Sequence, residues 1–179
     1  NKKFSFIDKN KKLILITFHR RENFGSGLKN LITFLIKSIK NRNDIQFVYP
    51  VHLNPNIYKP VIKSLSKINN IHIIKPVDYL TFVYLMMQSY FILTDSGGIQ
   101  EEAPSLKKPV LVLRNTSERL HFSNSRSSII VGTNEKKLTL ITSKMLNNKK
   151  FYKSMIFSRN PYGDGKASKK IINILNKIV

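Results

Sequence analysis

The chain has 179 residues and no cysteine, with 31 Lys and Arg against 10 Asp and Glu, a formal net charge of +21. That length suffices for one domain with a sizeable core; the missing thiols exclude disulfides, thiolate catalysis and zinc–sulfur sites, and no apolar run reaches the roughly 18 residues that a membrane span needs. A balance this basic would ordinarily point to nucleic acid, but the excess is mostly Lys, scattered along the whole chain with abundant Ile and Asn, which favours compositional drift over a polyanion-binding surface.

The elements follow a simple alternation. An apolar run, Leu13–Phe18, predicts the first strand. It ends in His19-Arg20-Arg21-Glu22-Asn23, five consecutive residues able to form hydrogen bonds. An imidazole there can serve as acid or base or bond a phosphate, and the arginines can hold a diphosphate through paired N–H groups. A solvated loop with Glu22 bonded to an Arg is the plainer alternative. A helical pattern over Leu28–Lys40 leads to a second strand, Ile45–Tyr49, and then to His52 and Asn54. A lone His such as His52 is more often structural than catalytic. A helix over Ile57–Lys67, a strand over Ile71–Lys75 and a helix over Tyr79–Ser89 come next.

The fourth strand, Phe91–Thr94, carries the most informative segment. It runs into Asp95-Ser96-Gly97-Gly98, and a helix is expected over Ile99–Leu106, with Glu101 and Glu102 in its first turns. Strand, glycine turn and helix start together offer free backbone N–H groups and about half a positive charge to a phosphate. Gly97 and Gly98 would allow close approach and positive φ, and Ser96 could cap the helix or donate to a phosphate oxygen. A carboxylate one turn into the helix can accept both hydroxyls of a ribose. The acid-poor background sharpens this reading, because four of the ten carboxylates (Asp95, Glu101, Glu102 and Glu118) fall between residues 95 and 118.

Strands at Val110–Leu113 and Ile129–Val131 complete the set, with Arg114 to Arg119 following the fifth and a helix over Glu135–Leu146. Arg114 is expected to face the same cleft as Ser96. An exposed ion pair in a surface loop is its alternative role, worth little. Helices over Phe151–Phe157 and Ala167–Ile178 flank a Pro- and Gly-rich turn at residues 160–165. The last carries an apolar stripe, Ile171, Ile174, Leu175 and Ile178, that must pack on something. Strands alternating with helices of this length imply βαβ units and a Rossmann-like, mostly parallel α/β sheet flanked by helices, with ligands at the carboxyl ends of the strands. No pair of histidines has metal-ligand spacing, so neither a catalytic metal nor a cofactor is expected.

Taken in order, FHRRENFG (18–25), YPVHLNPN (49–56), PVDYLTFVYLM (76–86), LTDSGGIQEEAPSLKKPVLVLRNTSER (93–119), VGTN (131–134) and NPYGDGKAS (160–168) resemble the non-hydrolysing UDP-N-acetylglucosamine 2-epimerases. The resemblance runs collinearly from residue 13 to about residue 178. It implies the second half of a two-domain GT-B-like fold. Residues 1–12 would be a lead-in, 13–158 a UDP-binding Rossmann-like domain, and 159–179 a helix crossing back to the first half. It also implies epimerisation of UDP-GlcNAc at C2, by elimination and re-addition of UDP. His19 would lie at the diphosphate and take part in catalysis. Ser96, Gly97 and Gly98 would bind phosphate, Glu102 the ribose, Arg119 the UDP portion, and Phe82 would lie near the uracil. Arg20, Glu22, His52, Arg114 and Glu118 stand as further candidates.

The chain departs from the family pattern after Arg119, where Leu120-His121-Phe122 and Arg126 replace a Pro-Glu and glycines. The family's acidic catalytic residues belong to the first half, which is expected as a separate domain or chain. The chain does not begin with Met, and its basic start leads into no apolar signal core. It is therefore read as a piece of a longer cytoplasmic protein, with no membrane and no specific nucleic acid as partner, and with a homodimer left open. Another UDP-acetamido-sugar epimerase, a GT-B glycosyltransferase half, and an inactive nucleotide- or polyanion-binding remnant are the alternatives.

Overall fold

In the computed structural model, residues 4–116, 127–156, 160 and 162–178 are described. Among them six strands form one sheet: β1 (Lys12–Thr17), β2 (Ile45–Pro50), β3 (Ile71–Ile74), β4 (Phe91–Thr94), β5 (Val110–Val112) and β6 (Ser128–Ile130). Their spatial order is β3-β2-β1-β4-β5-β6 and every neighbouring pair is parallel. The chain first builds outward from β1 on one side, then returns to place β4 on the other. The carboxyl ends of β1 and β4 therefore flank the point where the winding reverses, which is where open α/β sheets hold their ligands.

Alternation along β1 shows how the sheet is sandwiched. Ile14, Ile16 and Phe18 pack into one buried cluster with Leu31, Phe34 and Leu35 of α1 (Ser26–Asn41) and Val61 of α2 (Pro55–Leu65). Leu13 and Leu15 point to the opposite cluster, with Leu85 and Met86 of α3 (Tyr79–Gln88) and Ala103 beyond α4 (Gly97–Glu102). Both faces are covered, so the central strands read as continuous apolar runs. Each large side chain wholly buried there contributes about 1.5–3 kcal/mol. Helices α5 (Glu135–Asn147) and α6 (Lys149–Ser154) extend the first layer.

Local chemistry explains most of the helix boundaries. Asn54, Asp78, Asn134 and Asn148 each cap a helix, their side chains accepting a backbone N–H of the first turn. Helix α1 starts two residues before its apolar stripe because Gly25, at φ 71°, turns the chain into it. The helix expected over Ile99–Leu106 is two elements. Helix α4 runs from Gly97 to Glu102, and a 3-10 turn covers Ala103–Leu106. Pro104 lacks the N–H a continuous α-helix needs, and the backbone tightens there.

The segment before β1 is folded in: Phe4 is buried and stacks on Tyr84 with ring centroids 5.8 Å apart. The far end differs. Helix α7 (Ala167–Leu175) buries none of its residues, and Ile171, Ile172, Ile174, Leu175 and Ile178 are each more than half exposed. No helix among the described residues is long and apolar enough to cross a membrane.

Candidate functional site

A cleft of about 320 Å³ opens at the carboxyl edge of the sheet, within the size range of small-molecule sites. Each wall comes from a different segment. His19 follows β1, Pro50 ends β2 and His52 comes after it, Val77 precedes α3 while Tyr79 and Phe82 lie at its start, Ser96 follows β4, and Gly98, Ile99 and Glu102 belong to α4. Phe18, Pro50, Val77, Phe82 and Ile99 give it an apolar interior with polar groups at its margin.

Asp95 organises the centre. It is wholly buried and its carboxylate accepts from the backbone N–H of His19 at 3.0 Å and of Arg20 at 2.8 Å. Asn23 Nδ2 adds a 3.3 Å contact and also donates to the carbonyl of Leu113 at 3.1 Å. The imidazole Nδ1 of His19 lies 3.2 Å from Asp95 Oδ1. The carboxylate accepts a hydrogen bond from Nδ1–H and leaves Nε2 for the cleft. The hydrogen bond to Asp95 raises the His19 pKa, against the opposing effect of partial burial. Burial alone would push Asp95 upward, but the bonds from His19 and from the two backbone N–H groups outweigh it, and its pKa lies below the ordinary carboxylate value. The pair thus favours an imidazolium held on a buried carboxylate.

Opposite stands the start of α4. Ser96 occupies the N-cap position, yet its side chain makes no capping bond. Its backbone N–H donates instead to Thr94 Oγ1 at 2.9 Å. The first N–H groups of a helix have no partner within it and can receive an anion. The positive φ expected at Gly97 and Gly98 is absent. Both enter the helix directly, and what glycine supplies is open space. A Cβ on Gly98 would meet nothing nearer than Glu102 Oε1 at 3.8 Å.

One turn on, Glu102 lines the cleft beside Tyr79, whose pKa the nearby carboxylate raises. Asp78, capping α3, sets Tyr79 and Phe82 one turn apart, and both line the cleft. His52 stacks on His19 with ring centroids 6.2 Å apart. Its Nδ1 accepts from the N–H of Asn54 at 3.1 Å, so its proton sits on Nε2.

The structure therefore brings His19, His52, Phe82, Ser96, Gly98 and Glu102 to one cleft, with Gly97 buried beside them. Three other candidates do not line it. Arg114 Nε donates to Glu22 Oε1 at 2.9 Å, a partly buried pair joining the loop after β1 to the end of β5. Arg20 contributes its backbone N–H to Asp95, while its Nε is buried with no partner among the described residues. Glu118 and Arg119 lie outside the described residues. Asp95 and Tyr79 were not among the assigned site residues. Asp95 had one signal, its place in an acid-poor chain; Tyr79 had none beyond its neighbourhood. Among the described residues no cluster of His, Asp and Glu could hold a metal ion.

The family model for UDP-N-acetylglucosamine 2-epimerase matches residues 1–176. A UDP-N-acetylglucosamine 2-epimerase of Yersinia pestis is 49% identical over 173 residues, which is 97% of this chain and 46% of that protein. One from Campylobacter jejuni is 50% identical over 171 residues, 96% of this chain and 45% of that protein. The crystal structure of the Neisseria meningitidis UDP-GlcNAc 2-epimerase bound to UDP-GlcNAc superposes with a TM-score of 0.92 at 46% identity, covering 98% of this chain and 47% of that one. The chain spans about half the length of the curated relatives it matches.

Proposed function

The chain belongs to the UDP-N-acetylglucosamine 2-epimerase family, and from that premise we propose that it supplies the UDP-binding half of an enzyme interconverting UDP-GlcNAc and UDP-ManNAc. The observation that carries the reading is a single cleft lined by His19, which is paired with buried Asp95, by Ser96 and Gly98 at the start of α4, and by Glu102 one turn further on. In this reading the diphosphate lies between His19 Nε2 and the N–H groups after Ser96. Glu102 accepts the ribose hydroxyls, and the base packs against Phe82.

The reaction leaves through UDP. Elimination breaks the bond from the anomeric carbon to the diphosphate and develops charge on the departing oxygen. Re-addition after the sugar turns over reverses the step. An imidazolium fixed by Asp95 and N–H groups fixed by the helix start need no reorganisation as that charge grows, which is the most effective form of electrostatic catalysis. The proton at C2 has to be moved by groups outside this chain, since the cleft's own carboxylate, Glu102, is committed to the ribose. The exposed apolar face of α7 is the surface that would join that other half. A nucleotide-sugar substrate goes with a cytoplasmic enzyme.

Calorimetric titration with UDP and UDP-GlcNAc tests the seat: both should bind and compete, and Glu102→Ala should weaken both. Producing the chain together with the first half of the enzyme and assaying UDP-ManNAc tests the activity. The net charge of +21 keeps one second reading in play, a nucleotide-blind polyanion binder. Strongly salt-dependent binding to arbitrary DNA, with no response to UDP, would select it.

A further inference from the structure

One residue, Asn160, ties the chain's tail to the helix that carries Glu102. Its Nδ2 donates to the carbonyl of Glu101 at 2.8 Å and to Ser105 Oγ at 2.7 Å. Its Oδ1 accepts from the N–H of Tyr162 at 2.9 Å. The amide orientation is forced, because the Glu101 carbonyl can only accept and the Tyr162 N–H can only donate. A single side chain therefore grips two points on one unit while fixing its own loop in an Asx turn.

The grip falls where that unit is least regular. Helix α4 gives way to a 3-10 turn at Ala103, and Pro104 cannot supply an N–H to the Gln100 carbonyl. Glu102 is the last residue of α4, next to the gripped Glu101 carbonyl. A small backbone shift there moves its carboxylate in the cleft. Glu102 also borders a second cavity, behind the cleft, that is lined by Asn160, Gly163 and Lys170 of the tail. The seat and the tail thus share one wall.

We propose that Asn160 is a positioning residue for the nucleotide seat, holding the Glu102 carboxylate where a nucleoside diphosphate presents its ribose hydroxyls. The inference rests on the nucleotide reading of the cleft given above.

The test is calorimetric titration of the whole chain with UDP and with 2′,3′-dideoxy-UDP, for wild type and for Asn160→Ala, Asn160→Asp, Glu102→Gln and Lys170→Ala. Asn160→Ala should weaken UDP about five- to tenfold, the worth of a lost hydrogen bond, and leave dideoxy-UDP nearly unchanged. Asn160→Asp, which cannot donate to Glu101, should do at least as much. Lys170→Ala breaks only an exposed tail ion pair with Asp164 and should alter neither ligand. General loss of structure would weaken both nucleotides alike and lower the melting temperature. Equal weakening, or no weakening, in Asn160→Ala overturns the proposal. If Glu102→Gln leaves the preference for an intact ribose untouched, the ribose assignment fails first; if wild type binds neither nucleotide, the reading of the cleft fails.

Discussion

His19 and Asp95 meet across the seam between the two central strands, Nδ1 lying 3.2 Å from a carboxylate that is 0% exposed while the imidazole is 42% exposed. One partner is committed to the interior and the other to the cleft. Asp95→Asn separates the two roles. The amide has one acceptor oxygen where the carboxylate had two, and its NH2 must face donors. The variant should lose about 1–3 kcal/mol of stability, because a donor at the site loses its acceptor. Urea unfolding measures this, and an unchanged midpoint would show that the carboxylate is not the organising group.

The same pair sets a pH dependence. His19 is raised above the ordinary histidine value of about 6.5. Its charge-dependent contribution is therefore complete below that value and is lost as pH rises through the raised one. Asp95 is lowered, so its contribution holds above the ordinary carboxylate range and disappears only as strong acid reaches it. UDP affinity of wild type relative to His19→Ala should fall as pH rises from the ordinary histidine value through the raised one. Taking the ratio cancels the ionisation of UDP itself. A ratio flat across that window would remove the imidazolium from the binding of the diphosphate.

Tyr79 and Glu102 lie together on the cleft wall, at the ribose end in the proposed reading. Tyr79 is exposed, so its hydroxyl adds little to folding, and its proposed part is to hold the carboxylate toward the ligand. Tyr79→Phe should keep the melting temperature and weaken UDP about two- to fivefold. Affinity equal to wild type would mean that Glu102 is held from its own helix alone.

All six strands lie where apolar runs predict them, because a sheet covered on both faces demands continuous hydrophobic segments. The order of the loops around β1 and β4 also follows from alternation of strand and helix. What escapes a sequence reading is pairing at long range. His19 and Asp95 are 76 residues apart, and Glu22 and Arg114 are 92 apart. No local pattern distinguishes an arginine that reaches a ligand from one that is taken by a glutamate on a neighbouring loop. Arg114 and Arg20 read alike in sequence, and only packing shows that one pairs with Glu22 while the other serves through its backbone N–H. The φ of the two glycines after Ser96 is not legible in the sequence, since the helix could begin at either residue.

Gly132 illustrates the opposite case, a glycine required for shape. It adopts φ 65° after β6, and a Cβ there would lie 2.8 Å from Asn115 Oδ1. Gly132→Ala combines left-handed strain of about 1–2 kcal/mol with that clash. Asn115→Ala should recover the clash and leave the strain. Thermal unfolding of the two single variants and the double variant separates the contributions. A neutral Gly132→Ala would mean that the β6 turn has a second conformation of equal energy.

The last prediction concerns α7. Four large apolar residues of the helix, and Ile178 just beyond it, are each more than half open to water, and no residue of the helix is buried. A surface of that kind in an isolated chain costs solubility and implies a covering partner. Because α7 contributes no core, Ile171→Glu with Ile174→Glu should leave the melting temperature of the chain unchanged and reduce its self-association. The same pair of charges should abolish complex formation with the separately produced first half of the enzyme, and UDP-ManNAc production with it. If the complex forms with wild-type affinity, α7 is not the joining surface, and the apolar stripe serves contact between copies of this chain instead.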